Sequence, residues 1–341
     1  MLVDLEGNRI DLVFKNNEHI KILGKSGYGK TYWAYRYIEE NCIRKAIWII
    51  DYSGSYTPYE LNKGQFSYGE KIDETNPKEE LFYIFGGDSE ADVVENTVDT
   101  LIAIIEIDAM MQREILEKVC EMVMKNNGFI SIKRVFAQLN EMRVTCGESS
   151  TVNNIDFLKN RLYHLRKLDS IRITLGRQKY YPGIHIIQLS DYTDRIRLDI
   201  SQIILELLWK ERKNNKKEQE VIIVLDEFQN LKIKGTSVEM MLRQGRKKGI
   251  GLVMLSQFST EKKDNDIIDQ SDTSLYFHIN EKNQLSTAKT IDLNNWREWV
   301  QIFQRLKKGT CVLKGEYTVN GKNIVHSKPI VCKVVKAELK E

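Results

Sequence analysis

Gly24-Lys25-Ser26-Gly27-Tyr28-Gly29-Lys30-Thr31 meets the spacing G-x-x-x-x-G-K-[ST] at every fixed position. Glycines let a backbone curl until successive N–H groups face one anion, and a following helix adds its positive end. In such a loop Lys30 reaches the β- and γ-phosphates of a nucleotide, and the Thr31 hydroxyl ligates Mg²⁺. A second stretch, EVIIVLDEFQNL (Glu220–Leu231), ends an apolar run in Asp226-Glu227. Asp226 is placed to hold Mg²⁺ through water, and Glu227 to polarise an attacking water. Alone, that pair reads as a solvated strand end; beside a phosphate-gripping loop it reads as the other half of a triphosphate site.

These residues need elements to position them. His19–Leu23 reads as a short strand, and Lys30–Glu40 as a helix with Trp33, Tyr37 and Ile38 on one face. Further strands are expected in RKAIWIIDYSG (Arg44–Gly54, with Asp51), GIHIIQLS (Gly183–Ser190), GIGLVMLSQFS (Gly249–Ser259) and TSLYFHI (Thr273–Ile279), with a helix from about Arg195 to Arg212. Continuous apolar runs of this kind suit strands buried on both faces of a parallel sheet, whose carboxyl edge is where ligands bind. Gln257 falls one strand beyond Asp226-Glu227. Its amide is placed to sense the γ-phosphate or orient water, although an ordinary polar strand end fits equally. In MLRQGRKKGIG, Arg243, Arg246, Lys247 and Lys248 crowd one segment. One arginine is a candidate to reach a neighbouring subunit's γ-phosphate, and the lysines to face phosphodiester. A basic helix end capped by Gly249 accounts for the same residues, and both readings hold together.

Between Ser89 and about Leu168 the pattern turns helical. Ile115, Leu116, Val119, Met122 and Val123 form one stripe, and Leu158, Leu162 and Leu165 another, as packing faces do. Lys133, Arg134, Arg161, His164, Arg166 and Lys167 give this region basic edges, which a solvated face explains more simply than a nucleic-acid contact. The expected fold class is α/β: a RecA-like P-loop NTPase core with a mainly parallel sheet and an inserted helical subdomain. The division is 1–88 for the first part of the core, 89–170 for the helical insertion and 171–341 for the rest of the core, including its C-terminal strands.

Bulk properties exclude several classes. The 341 residues are 42% hydrophobic and 29% charged, a soluble globular balance, and the net charge of +3 gives no global signature of nucleic-acid binding. The five cysteines lack any C-x-x-C pair, and the five histidines lack metal-ligand spacing, which fits a reducing cytoplasm without a zinc site. The acidic N-terminus is unlike a signal peptide, and no window is long and apolar enough for a transmembrane helix.

GKSGYGKT, IIDYSGSY, GIHIIQLS, VLDEFQNL, RQGRKKGIGLVMLSQ and DIIDQSDTSLYF occur in the order seen in HerA/FtsK-superfamily ATPases, and WVQIFQRLKKGTCVLKG is similar to their return to strands. The chain resembles HerA-like proteins, with TraG/TraD-type conjugation coupling ATPases as relatives, from about His19 to Val335. The resemblance implies an ATP- and Mg²⁺-dependent, ring-forming motor, usually hexameric, that translocates double-stranded DNA, often beside a nuclease or another effector. It implies nucleotide and metal binding by Lys30 and Thr31, metal support by Asp226, water activation by Glu227, γ-phosphate sensing by Gln257, and a trans role for Arg243 or Arg246. Two departures stand out. HerA proteins usually open with a small β-barrel, where fewer than about twenty residues precede the first core strand here. Glu18 also stands before His19 where many members carry an arginine. The rival expectations are a conjugation or viral DNA-packaging ATPase, and a nucleotide-gated ring scaffold that activates a bound effector.

Overall fold

The computed structural model describes residues 1–15, 17–57, 72–75, 89–105, 107, 109–163, 165–166, 182–214, 220–257 and 271–335. Seven strands build the parallel part of the sheet: β3 (Ile20–Leu23), β4 (Ala46–Asp51), β5 (Ile72–Thr75), β6 (Gly183–Gln188), β7 (Val221–Leu225), β8 (Ile250–Ser256) and β9 (Thr273–Tyr276). They lie in the order β9-β3-β8-β7-β4-β6-β5, every neighbouring pair parallel. Apolar side chains alternate between the two faces, as the pleat demands. Ile47 and Ile49 join Ile20, Ile22 and Val224 against helix α1 (Lys30–Asn41), through Trp33, Ala34, Tyr37 and Ile38. Trp48 and Ile50 point the other way, with Ile223, Leu225, Leu252 and Met254.

That second face is covered by α6 (Asp194–Asn214) and α7 (Ser237–Lys248). Four helices lie between β5 and β6: α2 (Glu90–Ile105), α3 (Met110–Asn127), α4 (Ile132–Thr145) and α5 (Ser149–Leu162). Their apolar faces continue the same cluster, with Leu116, Val119, Leu139, Leu158, Leu162 and Leu165 buried. Burying one such side chain is worth roughly 1.5–3 kcal/mol, so the helices are bound to the sheet side rather than merely tethered to it. One member of the expected stripe departs: Met122 is 46% exposed, since its neighbours Ile115, Val119 and Val123 already fill the buried arc of α3.

Beyond β9 the sheet turns antiparallel, through β10 (Thr310–Lys314), β12 (Ile330–Val334), β1 (Leu2–Val3), β2 (Arg9–Val13) and β11 (Glu316–Val319). The return to strands at the C-terminal side was expected; β1 and β2 were not. The hairpin between them is set by Asp4, whose carboxylate accepts from the N–H groups of Glu6 and Asn8 at 2.9 and 2.8 Å. Helices α8 (Glu281–Ile291) and α9 (Trp296–Arg305) pack on Tyr276 and Val312. The architecture is mixed α/β with a largely parallel core sheet, as in a RecA-like P-loop NTPase. Among the described residues no helix is long and apolar enough to cross a membrane.

A candidate nucleotide site at the carboxyl edge of the sheet

The loop 24–29 leaves β3 and enters α1, with Gly24, Gly27 and Gly29 at φ 151°, 81° and 111°. Close approach demands Gly24, where a Cβ would stand 2.6 Å from the Phe277 Cβ; Gly29 is demanded by its left-handed φ. The loop is clamped by its neighbours. Gly24 N donates to Ser256 O at 3.2 Å, Lys25 N to His278 O at 2.8 Å, and Gly309 N to Tyr28 O at 3.0 Å. Tyr28 stacks on His278, ring centroids 4.5 Å apart. Lys30 begins α1 and folds back over the loop, its Nζ donating to Gly24 O at 2.6 Å and Lys25 O at 3.3 Å. Burial lowers its pKa, opposed by the negative charges of Glu227 and Asp226, so all three groups share one electrostatic environment. Thr31 follows on the first turn of α1.

Asp226 and Glu227 leave the end of β7, beside the ends of β4 and β8. Asp226 is buried, and burial pushes its carboxyl up to about 6; the neighbouring Asp51 and Glu227 add to the rise, while a hydrogen bond from Ser53 Oγ opposes it. Glu227 is held at φ 50°, the left-handed region a glutamate occupies at a cost of about 1–2 kcal/mol. That turn ends the strand and brings Glu227 to two amides. Gln257 Nε2 donates to its Oε1 at 2.8 Å, and Gln229 Nε2 donates to its Oε2. Gln257 therefore meets Glu227 directly, and both amides fix the carboxylate's direction.

Four further residues belong to this arrangement, and sequence reasoning gave them no role: Asp51, Ser53, Gln188 and Gln229. Asp51, at the end of β4, is fully buried. It accepts from the N–H groups of Gly54, Ser55 and Tyr56 at 2.9, 3.0 and 2.8 Å and from Gln188 Nε2 at 2.8 Å. This shapes the turn that sets Ser53 against Asp226. Tyr35 of α1 donates to Ser55 O on the same turn, tying the phosphate-loop helix to the carboxylate side. The available signal was positional: Ser-Gly-Ser directly after a buried strand lies at the edge where ligands bind.

The structure does not bring Arg243 and Arg246 to this edge. Helix α7 starts at its cap Thr236 and ends at Gly249, φ 67°, immediately before β8, so it runs against the strands. Arg243 pairs with Glu239 at 2.8 Å. Arg246 lies at the opposite, amino edge of the sheet, lining a cleft with Glu18, Lys45 and Glu220. Glu18 is bound within the chain there, to Lys45 Nζ at 2.5 Å and to the Tyr37 hydroxyl at 3.1 Å. His164 and Lys167 lie outside the described residues.

The donor set suits Mg²⁺-nucleotide. Among the described residues no group of three or more His, Cys, Asp or Glu side chains could hold a metal ion. Mg²⁺ needs no such cage, since it takes one or two protein oxygens, substrate phosphates and water. The Thr31 hydroxyl and the buried Asp226 carboxylate are groups of that type.

The family model "Helicase HerA, central domain" matches residues 9–208. A search of curated proteins found no match. Among solved structures, VirB4 of Thermoanaerobacter pseudethanolicus is similar at 15% identity and TM-score 0.69, over 98% of this chain and 95% of that one. The plasmid coupling protein TrwB in complex with the ATP analogue ADPNP is similar at 12% identity and TM-score 0.65, over 94% and 86%. TrwB with ADP and Mg²⁺ gives 12% and 0.63, over 95% and 86%. At these identities the likeness speaks for the fold.

Proposed function

The chain belongs to the HerA/FtsK superfamily of P-loop ATPases, in the family of the HerA helicase central domain, and from that premise we propose that it is a Mg²⁺-dependent ATP hydrolase working as a ring motor on DNA. The observation that carries this reading is the convergence of Lys30, Asp226 and Glu227, with Glu227 aimed by Gln257. In this reading the 24–29 loop and Lys30 bind the phosphates, and Thr31 and Asp226 hold Mg²⁺, which supplies charge neutralisation. Glu227 orients and activates the attacking water, and Gln257, at the end of β8, holds Glu227 and senses the γ-phosphate.

A conjugation-type ATPase is the second reading, since the fold is shared with the plasmid coupling protein TrwB over most of both chains. In a closed ring, Arg246 on the far edge of the sheet would have a neighbouring subunit to serve.

The test is Glu227→Gln, which keeps size and hydrogen bonding and removes the charge. Nucleotide affinity should persist while hydrolysis falls by about a hundredfold or more. Unchanged hydrolysis removes Glu227 from the mechanism. Retained biological output without turnover would replace the motor by a nucleotide-gated scaffold.

A further inference from the structure

We propose that the outward face of α4 and α5 is a contact surface for single-stranded nucleic acid. The charge of the chain is unevenly spread. Between residues 131 and 166 there are six lysines and arginines against three carboxylates, whereas α2 carries Glu90, Asp92, Glu95 and Asp99 with no lysine or arginine. Three of the six, Arg143, Lys159 and Arg166, fall along one strip; Arg134 and Arg161 lie over Phe129 and Phe157 instead. Phe136 and Arg143 share a face of α4, and Asp156, Lys159 and Tyr163 share one of α5, continued by Arg166.

The two faces meet in one strip. Arg143 Nε pairs with Asp156 Oδ1 at 2.6 Å, and Lys159 Nζ lies 3.8 Å from the same oxygen. Lys159 also stands 5.9 Å from the Phe136 ring centre. The Arg166 guanidinium lies 5.0 Å from Phe136 and 4.4 Å from Tyr163, and those two rings meet edge to face at 6.3 Å. Arg166 is exposed. Tyr163 is 61% exposed, a large ring left in water beside an arginine.

Cations alone would suit any polyanion. An exposed ring, Tyr163, beside the half-buried Phe136 and set among them suits an unpaired strand, whose bases present π-faces while its phosphates track the cations. A duplex keeps its bases stacked inside and offers such rings nothing. The strip is separate from the nucleotide site, so this inference stands or falls independently of the hydrolase reading.

The experiment measures anisotropy of a labelled oligothymidylate of about twenty nucleotides with the full chain, beside a duplex of equal length and polyglutamate as competitor. Arg166→Glu with Lys159→Glu should weaken single-strand binding at least about tenfold and flatten its salt dependence, each lost phosphate contact removing about 0.7 from the log–log slope. Tyr163→Ala should weaken the single strand about tenfold and leave the duplex unchanged, and Tyr163→Phe should retain binding. Basal ATPase and circular dichroism, unchanged in all variants, show that the fold survives. Equal loss for duplex and single strand, a silent Tyr163→Ala, or polyglutamate competing as well as oligothymidylate would each overturn the proposal.

Discussion

Replacing Asp226 by asparagine is expected to stabilise the ligand-free protein at neutral pH while removing Mg²⁺-dependent hydrolysis. Burial raises this carboxyl from 3.8 to about 6, with Asp51 and Glu227 adding to the rise. The folded state thus holds the proton more tightly than the unfolded chain. Its contribution to stability is full below the unfolded value and is lost as pH rises through about 6. At about 1.4 kcal/mol per pH unit, the shift of roughly two units sets a ceiling near 3 kcal/mol for the cost of the charge at pH 7.5. Asparagine keeps an oxygen for the Ser53 hydroxyl, so that hydrogen bond survives. It loses the attraction to Lys30, which offsets part of the gain. The net expectation is a stabilisation of about 1–2 kcal/mol at pH 7.5. Urea denaturation of both proteins in EDTA, from pH 5 to pH 7.5, measures it. The difference should widen as pH rises across that window. A variant less stable than the parent at pH 7.5, or a difference constant with pH, would refute the argument that an unneutralised buried charge is stored there.

Lys30→Ala should abolish binding of a non-hydrolysable ATP analogue by calorimetry, since it removes the cation that lies over the loop. Gly24→Ala should destabilise the protein by about 1–3 kcal/mol and weaken nucleotide binding, because its methyl would press on Phe277; a thermal melt with and without nucleotide reads both. Arg246→Ala should leave nucleotide affinity intact and lower ATPase activity in the assembled state. Mixing it with Lys30→Ala protein should restore part of that activity if the arginine acts across a subunit boundary.

The sequence carried the parallel core because its strands are continuous apolar runs, a signal that survives without knowledge of partners: Ala46–Asp51, Gly183–Gln188 and Ile250–Ser256 all fall inside the expected spans. Lys30, Asp226 and Glu227 could be singled out as candidates because motif spacing and strand ends are local, and the structure brings the three into one electrostatic environment. β1 was hidden by being two residues long, and β2 by pairing with residues at the far end of the chain. Asp51, Ser53 and Gln188 were hidden for a related reason. They gain their role only when β4, β6 and β7 lie side by side, and no local pattern announces that Ser53 will meet Asp226. Met122 shows the limit of periodicity, which gives an arc but not its width.

The placement of β3 also bears on how the protein comes into being. Ile20 pairs with Val253 on one side and Thr273 on the other, and the loop that follows is clamped by Ser256, His278 and Gly309. On the ribosome, the stretch proposed to grip phosphate emerges early, ahead of both strands it pairs with. Such distant pairing is slow to form, and it leaves apolar segments exposed meanwhile. ATP can stabilise only a chain in which those late residues have arrived, by an amount set by its concentration over its dissociation constant. On the proposed reading, the nucleotide is a ligand of the nearly finished polypeptide alone. If the site binds ATP as proposed, a product stalled before β9 would gain no protection from it, and proteases could tell it from the complete protein on that difference.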